Sequence, residues 1–340
     1  MSSPEDILHL IVFNLSPSKR MLKKVSYFCS LQMKSSSSHK NISILGFLVA
    51  LSGAIFFSTK AIFVKLAFNE TRIDALSLLT LRMLFSLPLY LAVTVYFEWK
   101  NGFKKISFKN WMWIAITGIF GYYLSSYFDF IGLQYVSAGL ERLILFLYPT
   151  FAVFINRVYF KTKLSTPQIA ALVLTYVGIG IAYIGEMKID TASPKFLYGS
   201  FMIFLCAVTY SFYLVGTGKM VVRVGATRYT NYAMLSATAG IFIHFLITKK
   251  ISDIHFTPTL IHYSLALAVI ATVLPSFMMS YGMKKIGSNN VAIVTSIGPV
   301  STILQAHFIL GEPIIPLQLF GTGLVIVGVI LIGWQTQKKN

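Results

Sequence analysis

From residue 44 to residue 334 the sequence runs as a succession of long apolar segments separated by short polar loops. They fall at about 44–66, 76–97, 111–128, 138–158, 166–184, 197–217, 229–247, 261–281, 290–310 and 317–334. A hydrocarbon core about 30 Å thick takes roughly 20 apolar residues of helix to cross. Backbone polar groups find no water there, so a span is either a helix or part of a closed barrel. These runs are too long and too uniformly apolar for tilted barrel strands. The sequence therefore predicts an all-α integral membrane protein with ten transmembrane helices. Composition excludes a soluble globule, because only 12% of the 340 residues are charged, about half the usual share. The loops leave no room for a soluble catalytic domain.

On a soluble chain the net charge of +18 would suggest nucleic acid; here it reads as topology, and no nucleic-acid partner is expected. Cytoplasmic loops collect Lys and Arg. With the N-terminus inside, inner segments hold twenty of the 29 Lys and Arg and outer loops six, while Lys60, Arg82 and Arg142 lie within spans. Both termini are then expected on the cytoplasmic side of the cell's inner membrane. Residues 1–43 carry Lys19, Arg20, Lys23, Lys24, Lys34, Lys40 and the serine run 35–38, and read as a cytoplasmic tail; residues 335–340 form the cytoplasmic C-terminus. The apolar run from Ile7 to Phe13 follows Glu5 and Asp6 and precedes the bases, the reverse of a signal peptide. Met33 stands as an alternative start.

Chemistry other than transport finds no motif. Cys29 and Cys206 are too few and too differently placed for a disulfide framework or a thiolate metal site. The histidines are scattered without ligand spacing, and there is no His-Glu-x-x-His, P-loop or Gly-x-Ser-x-Gly. No cofactor, metal or enzymatic activity is expected. The expected partners are a small-molecule substrate and membrane lipids, with the chain a monomer or homodimer.

An internal repeat organises the spans. At an offset of 150 residues Gly132 matches Gly282, Pro149 matches Pro299, Gln168 matches Gln318, and Val177-Gly178 matches Val327-Gly328. At an offset of 153, Gly46 pairs with Gly199, Ala54 with Ala207 and Ser58 with Ser211. Each half then holds five helices, and an odd number sends the second half into the membrane from the opposite side. Inverted repeats characterise secondary transporters, with the substrate site near the midplane between the halves.

Four stretches stand out: Ser58-Thr59-Lys60 through Lys65; Leu81-Arg82 followed by Pro88; Gly132-Leu-Gln-Tyr through Glu141-Arg142 to Tyr148-Pro149; and Leu310-Gly311-Glu312-Pro313 with Gln318, Gly321 and Gly328. Together they resemble the EamA family of drug/metabolite transporters. The resemblance covers about 44–334. It implies EamA repeats at 44–184 and 197–334, a central cavity, and export or exchange of small metabolites such as amino acids by alternating access. Glu141 and Arg142 align with Val291 and Ala292 in the second repeat, so any site they form is chemically lopsided. The runner-up cargo is larger, a nucleotide-sugar or lipid-linked sugar. A membrane-embedded enzyme would need catalytic groups converging at one depth, and a non-transporting receptor or scaffold would not need inverted halves.

Ionisable residues within spans direct the search for a site, because a charge there is expensive and faces water or a partner. Lys60 lies about six residues from the outer end of its segment; it and Lys65 either snorkel to the interface or, for Lys60, meet substrate. Arg82 reads as structural, an interfacial anchor or fold-holding pair. Glu141 and Arg142 point about 100° apart, so they form no compact pair; they either touch substrate or stabilise the start of the fourth segment. On a helical period Glu141, Leu145, Tyr148 and Ala152 share a stripe. Polar stripes also run through Tyr122, Ser125, Ser126 and Asp129 in the third segment, Cys206, Tyr210, Tyr213 and Thr217 in the sixth, and Thr295, Pro299 and Thr302 in the ninth. Such stripes suit a cavity or helix contact better than lipid. Gln305 and His307 follow, the histidine reading as a hydrogen-bonded interior residue rather than a ligand. The candidate substrate contacts are therefore Lys60, Tyr122, Ser126, Glu141, Arg142, Tyr148, Tyr210, Tyr213 and Thr295. Glu141, taken as the one acid clearly inside a span, is the most informative. Pro149 and Pro299 each remove a helical hydrogen bond mid-span, and either bend with alternating gates or shape static packing.

The charge asymmetry and the five-plus-five repeat fix an expected labelling pattern. Single cysteines at Asn69 and Thr191 should react with an impermeant thiol reagent added outside intact cells, and cysteines at Lys105 and Lys285 should not. Outside labelling at Lys285 would overturn the inverted arrangement.

Overall fold

The computed structural model describes residues 44–102, 105–160, 166–187, 195–286, 291 and 294–338; the expected tail 1–43 lies outside them. Among the described residues every regular element is helical. In order these are α1 (Ile44–Thr71), α2 (Ala75–Asn101), and α3 (Phe108–Gly118), which passes through a π turn at Ile119–Leu124 into α4 (Ser125–Leu133). Next come α5 (Ala138–Leu145), α6 (Tyr148–Phe160), α7 (Thr166–Met187), α8 (Phe196–Val224) and α9 (Ala226–Thr248). The chain ends with α10 (Pro258–Ala268), a π turn at Val269–Val273, α11 (Leu274–Ile286), α12 (Gly298–Gln305) with a π turn at Ala306–Leu310, and α13 (Pro316–Lys338).

Among the described residues five stretches are long and apolar enough to cross a membrane: Ile44–Thr71, Ala75–Asn101, Phe196–Thr217, Thr227–Thr248 and Pro258–Gly282. The remaining expected spans depart from uniform apolar helices for visible reasons. The third is diluted by Tyr122, Tyr123, Ser125, Ser126, Tyr127 and Asp129. The fourth is interrupted at Phe146–Leu147 and the ninth at Ser296–Ile297, while the fifth and last hold the shorter apolar stretches Leu172–Glu186 and Pro316–Gly328.

Helix ends are set by local chemistry. Asp74 caps α2 by accepting from the Leu76 and Ser77 amides, Ser107 caps α3, Ser137 caps α5, and Thr257 caps α10 with Pro258 behind it. Gly225, at φ 86°, is the single residue between α8 and α9. That conformation costs a residue with a Cβ and costs glycine little.

Packing follows the internal repeat. α1 lies along α11 and α4 along α8, while α2 pairs with α9 and α7 with α13. Exchanging the halves maps these pairs onto one another. A Cβ on Gly46 would fall 2.6 Å from Lys285 Cβ, and one on Gly199 would fall 2.7 Å from Tyr135 Cβ; position 135 precedes 285 by the same 150 residues. Gly132 abuts Ile203, and its repeat mate Gly282 abuts Ala50. The π turns beginning at Ile119 and Val269 and the breaks at Phe146–Leu147 and Ser296–Ile297 keep the same spacing.

The prolines take a different role from mid-helix kinks. Pro299 occupies the first turn of α12, where no intrahelical partner awaits its missing N–H. Pro149 is likewise the second residue of α6. Each marks a restart after a break.

α7 and α13 run antiparallel with almost no side chain between them. A Cβ at Gly178 or Gly321 would strike the other's carbonyl, and one at Gly185 would fall 2.9 Å from Leu317 Cβ. With no hydrophobic force between helices in lipid, such small-residue contact supplies the association through van der Waals packing. Gly321→Val should therefore destabilise the folded protein by about 1–3 kcal/mol. Gly323→Val, at a position with nothing within 4 Å of its Cβ, should melt near wild type. Thermal unfolding in detergent distinguishes them, and equal melting of the two variants would refute this seam.

Candidate functional site

The ionisable residues buried at the centre come from the first half of the chain. Lys60 on α1 places its Nζ 2.7 Å from Asp129 Oδ2 on α4 and 3.3 Å from Glu141 Oε1 on α5. The lysine side chain is 11% exposed and the acids 1% and 0%. Lys60 therefore does not snorkel; it turns inward, because two carboxylates there offset its desolvation. Asp129 corrects the reading of Glu141 as the one intramembrane acid: the apolar run stops at residue 128, but α4 continues through Leu133.

Two guanidinium groups flank this cluster. Arg82 on α2 is buried, donates from Nη2 to Ser126 Oγ at 3.1 Å and lies 5.1 Å over the Phe130 ring. This contact joins α2 to α4 and excludes the interfacial-anchor reading. Arg142 on α5 points away from Glu141, as adjacent helical positions require, and lies 5.8 Å over the rings of Phe57 and Phe146. The Cys206 thiol of α8 is within Coulomb range of Lys60, Asp129, Glu141 and Arg142.

Aromatic rings of the two halves meet beside the charges. Tyr148 of α6 meets Tyr210 of α8 edge-on at 5.2 Å, Tyr210 meets Tyr213 at 5.7 Å, and Tyr213 stacks on Tyr229 at 5.7 Å. The Tyr122 and Tyr213 hydroxyls share a 2.8 Å hydrogen bond, and Thr217 donates to the Tyr229 hydroxyl at 3.2 Å. The polar stripes of the third and sixth segments thus face each other. The stripe joining Glu141 to Tyr148 does not persist as a continuous helix face, because the break at Phe146–Leu147 resets its phase. Thr295 is half-buried just before the second break, and Thr302, one turn beyond it, is fully buried. His307 is hydrogen-bonded to the Glu312 carbonyl at 2.9 Å but exposed, not interior. Among the described residues no group of His, Cys, Asp and Glu could hold a metal ion.

Polar contacts tie the helices on either side of the charged centre. Lys65 donates to the Val136 carbonyl at 2.7 Å and pairs with Glu312 at 3.2 Å, while Glu312 accepts from the Ala138 amide at the start of α5. Beside it Ser137 and Gln318 each donate to Glu186 Oε1 at 2.7 Å. Lys65 is thereby engaged by groups of the fold rather than left free. At the other end of α2, Arg228 of α9 grips both oxygens of Glu98 at 2.5 Å, and Tyr232 adds a bond at 3.1 Å. Hydropathy does not reveal these contacts; the repeat drew attention only to Gln318, and the family resemblance to Lys65 and Glu312. A small recess lined by Tyr90, Thr230, Asn231, Ser276 and Ser280 lies between α2, α9 and α11.

Comparison with known proteins agrees with the repeat. The model of the EamA-like transporter family matches residues 44–184 and again 197–334. The chain is 29% identical to the uncharacterized transporter YcbK of Bacillus subtilis (strain 168), over 87% of this chain and 96% of that protein. It is 23% identical to an uncharacterized transporter of Archaeoglobus fulgidus, over 79% and 91% respectively. A solved crystal structure matches at a TM-score of 0.60 and 15% identity, covering 87% of this chain and 98% of that chain, a likeness of fold alone.

The shared lysine makes a stability prediction. Lys60→Met strands two buried carboxylates, and breaking a buried pair from one side costs about 3–5 kcal/mol. Adding Asp129→Asn removes one of the stranded charges and should restore part of the loss. A double variant that melts no higher than Lys60→Met alone would show that the 2.7 Å contact does not hold the fold.

Proposed function

The chain belongs to the EamA-like transporter family, and from that premise we propose that it is a secondary carrier of small polar or amphipathic metabolites such as amino acids, exporting or exchanging them across the cytoplasmic membrane by alternating access. The observation that carries this reading is the buried cluster of Lys60, Asp129 and Glu141, flanked by Arg82 and Arg142 and faced by the tyrosines of the second half. Buried charge is costly in a membrane, and it is retained where a pathway needs it.

The proposed architecture is ten helices in two inverted repeats. Repeat-related helices that run antiparallel support it. Glu98 and Asp74, near the two ends of α2, meet Arg228 and Lys249 at opposite ends of α9, and α7 faces α13 in the same sense. Breaks in equivalent helices near the charges also fit a carrier, whose binding sites are built from discontinuous helices. In this reading the Lys65–Glu312 cluster closes the outer side, the Glu98–Arg228 clasp closes the cytoplasmic side, and the buried charges between them belong to an occluded conformation. Both termini are cytoplasmic. Accumulation of a nucleotide-sugar or lipid-linked sugar in cells without the protein would favour the larger-cargo alternative.

The cargo comes from an untargeted comparison of metabolites in cells with and without the protein. Exchange of that cargo is then measured in proteoliposomes. Losing a charge-assisted contact costs roughly ten- to a hundredfold, so Glu141→Gln should lower exchange by that factor if Glu141 binds cargo. If it carries a proton instead, exchange persists but loses its pH dependence. Wild-type exchange at every pH with only reduced yield would make Glu141 structural and remove the cluster from the mechanism.

A further inference from the structure

The break before α12 places two positive features against each other. α12 begins at Gly298 with Ile297 as its N-cap, and no side chain caps it. An uncapped helix start carries a partial positive charge of up to about one half, although Pro299, the second residue of α12, contributes no N–H to it. Facing it is Arg142: a Cβ on Gly298 would lie 2.8 Å from Nη2 and 3.2 Å from Nε of this guanidinium. Arg142 is 8% exposed, and its Nε has no hydrogen-bond partner. Among the described residues no carboxylate forms an ion pair with it. Its sequence neighbour Glu141 is engaged by Lys60 at 3.3 Å. The C-terminal turn of α5, where Arg142 sits, offsets part of the charge but accepts none of the unused Nε donor.

The remaining wall is chemically informative. Thr302, one turn after Gly298, is 0% exposed, and its hydroxyl has no partner. The Phe57 and Phe146 rings close the sides at 5.8 Å. Ser58 donates to the Gly298 carbonyl at 3.2 Å, tying the helix start to α1. Unused donors beside an uncapped helix start suit an anion, and the planar fork of arginine suits a carboxylate. Lys60 is a poorer candidate, since two acids already occupy it.

We infer that Arg142, the start of α12 and the Thr302 hydroxyl form the carboxylate subsite of the transport site, with Phe57 and Phe146 against the apolar part of the cargo. This rests on the carrier reading and narrows it to cargo bearing a carboxylate.

The test uses the full-length protein with the proteinogenic amino acids and their amides as probes, read by thermal unfolding in detergent and by exchange in proteoliposomes. In wild type the acids should stabilise and exchange, and the amides should not. Arg142→Gln should weaken the acids roughly ten- to a hundredfold and erase the preference for acid over amide. Arg142→Lys, which keeps the buried charge but not the fork, should retain part of that preference and decides the matter if Arg142→Gln fails to fold. Gly298→Ala should weaken the acids too, because its methyl group would meet the guanidinium. Equal binding of acids and amides by wild type, no binding of either, or an undiminished acid preference in Arg142→Gln would overturn the subsite. The carrier reading is judged separately by the cellular metabolite comparison, which does not depend on Arg142.

Discussion

One lysine held between two carboxylates is the constraint around which the centre is organised. Lys60, Asp129 and Glu141 stand on α1, α4 and α5, so their mutual attraction draws together three elements of the first half. None can be buried alone at acceptable cost, and bringing both acids to the one lysine constrains the relative depth and rotation of those helices. Arg82 extends the network to α2 through Ser126. The second half answers with rings, a thiol and a broken helix rather than countercharges. The lopsidedness expected from Val291 and Ala292 opposite Glu141 and Arg142 is thus a division of labour: one half supplies charge, the other supplies shape.

The remainder of the bundle is held by contacts that carry little electrostatic cost. Glycines at repeat-related positions bring α1 to α11 and α8 to the Tyr135–Val136 turn. The polar clasps at Glu98–Arg228 and Lys65–Glu312 sit toward the ends of their helices. Glycine contact can slide or tilt with modest loss, and a terminal ion pair can exchange its partner for water. A buried triad can do neither. In the proposed carrier reading this contrast puts the contacts that must open at the ends of the helices and the costly ones at the centre.

Much of the fold was legible because membrane burial writes itself into composition. Long runs such as Ile44–Thr71 and Phe196–Thr217 declare their helices, and the matches at a constant offset of 150 residues, such as Gly132 with Gly282 and Pro149 with Pro299, point to the repeat before any contact is known. The site was legible only in part. Lys60, Arg82, Glu141 and Arg142 stood out as charges in apolar runs, but which charge meets which depends on rotation. Hydropathy does not report rotation. Asp129 falls on the polar stripe of the third segment but one residue past its apolar run, so hydropathy alone does not count it as an acid within a span. The stripe from Glu141 to Tyr148 assumed an unbroken helix, whereas the chain breaks at Phe146–Leu147. Lys65 and Glu312 are distant in sequence, and neither hydropathy nor helical period links them.

The π turn between α3 and α4 has a consequence for how the charged centre is phased. A π turn takes up one residue more than an α turn between the same two points, and each residue of α-helix advances the face by about 100°. Asp129 follows Ile119–Leu124 on the same helix, so its bearing toward Lys60 includes that extra increment. Closing Ile119–Leu124 into regular α with no residue removed would swing Asp129 about a quarter of the circumference from the lysine without altering any charge, whereas deleting one residue as the turn closes would keep its bearing. The matching turn at Val269–Val273 sets the bearing of α11 against α1 in the same manner. Segment length in this fold is therefore an angular setting as well as a measure of bilayer thickness.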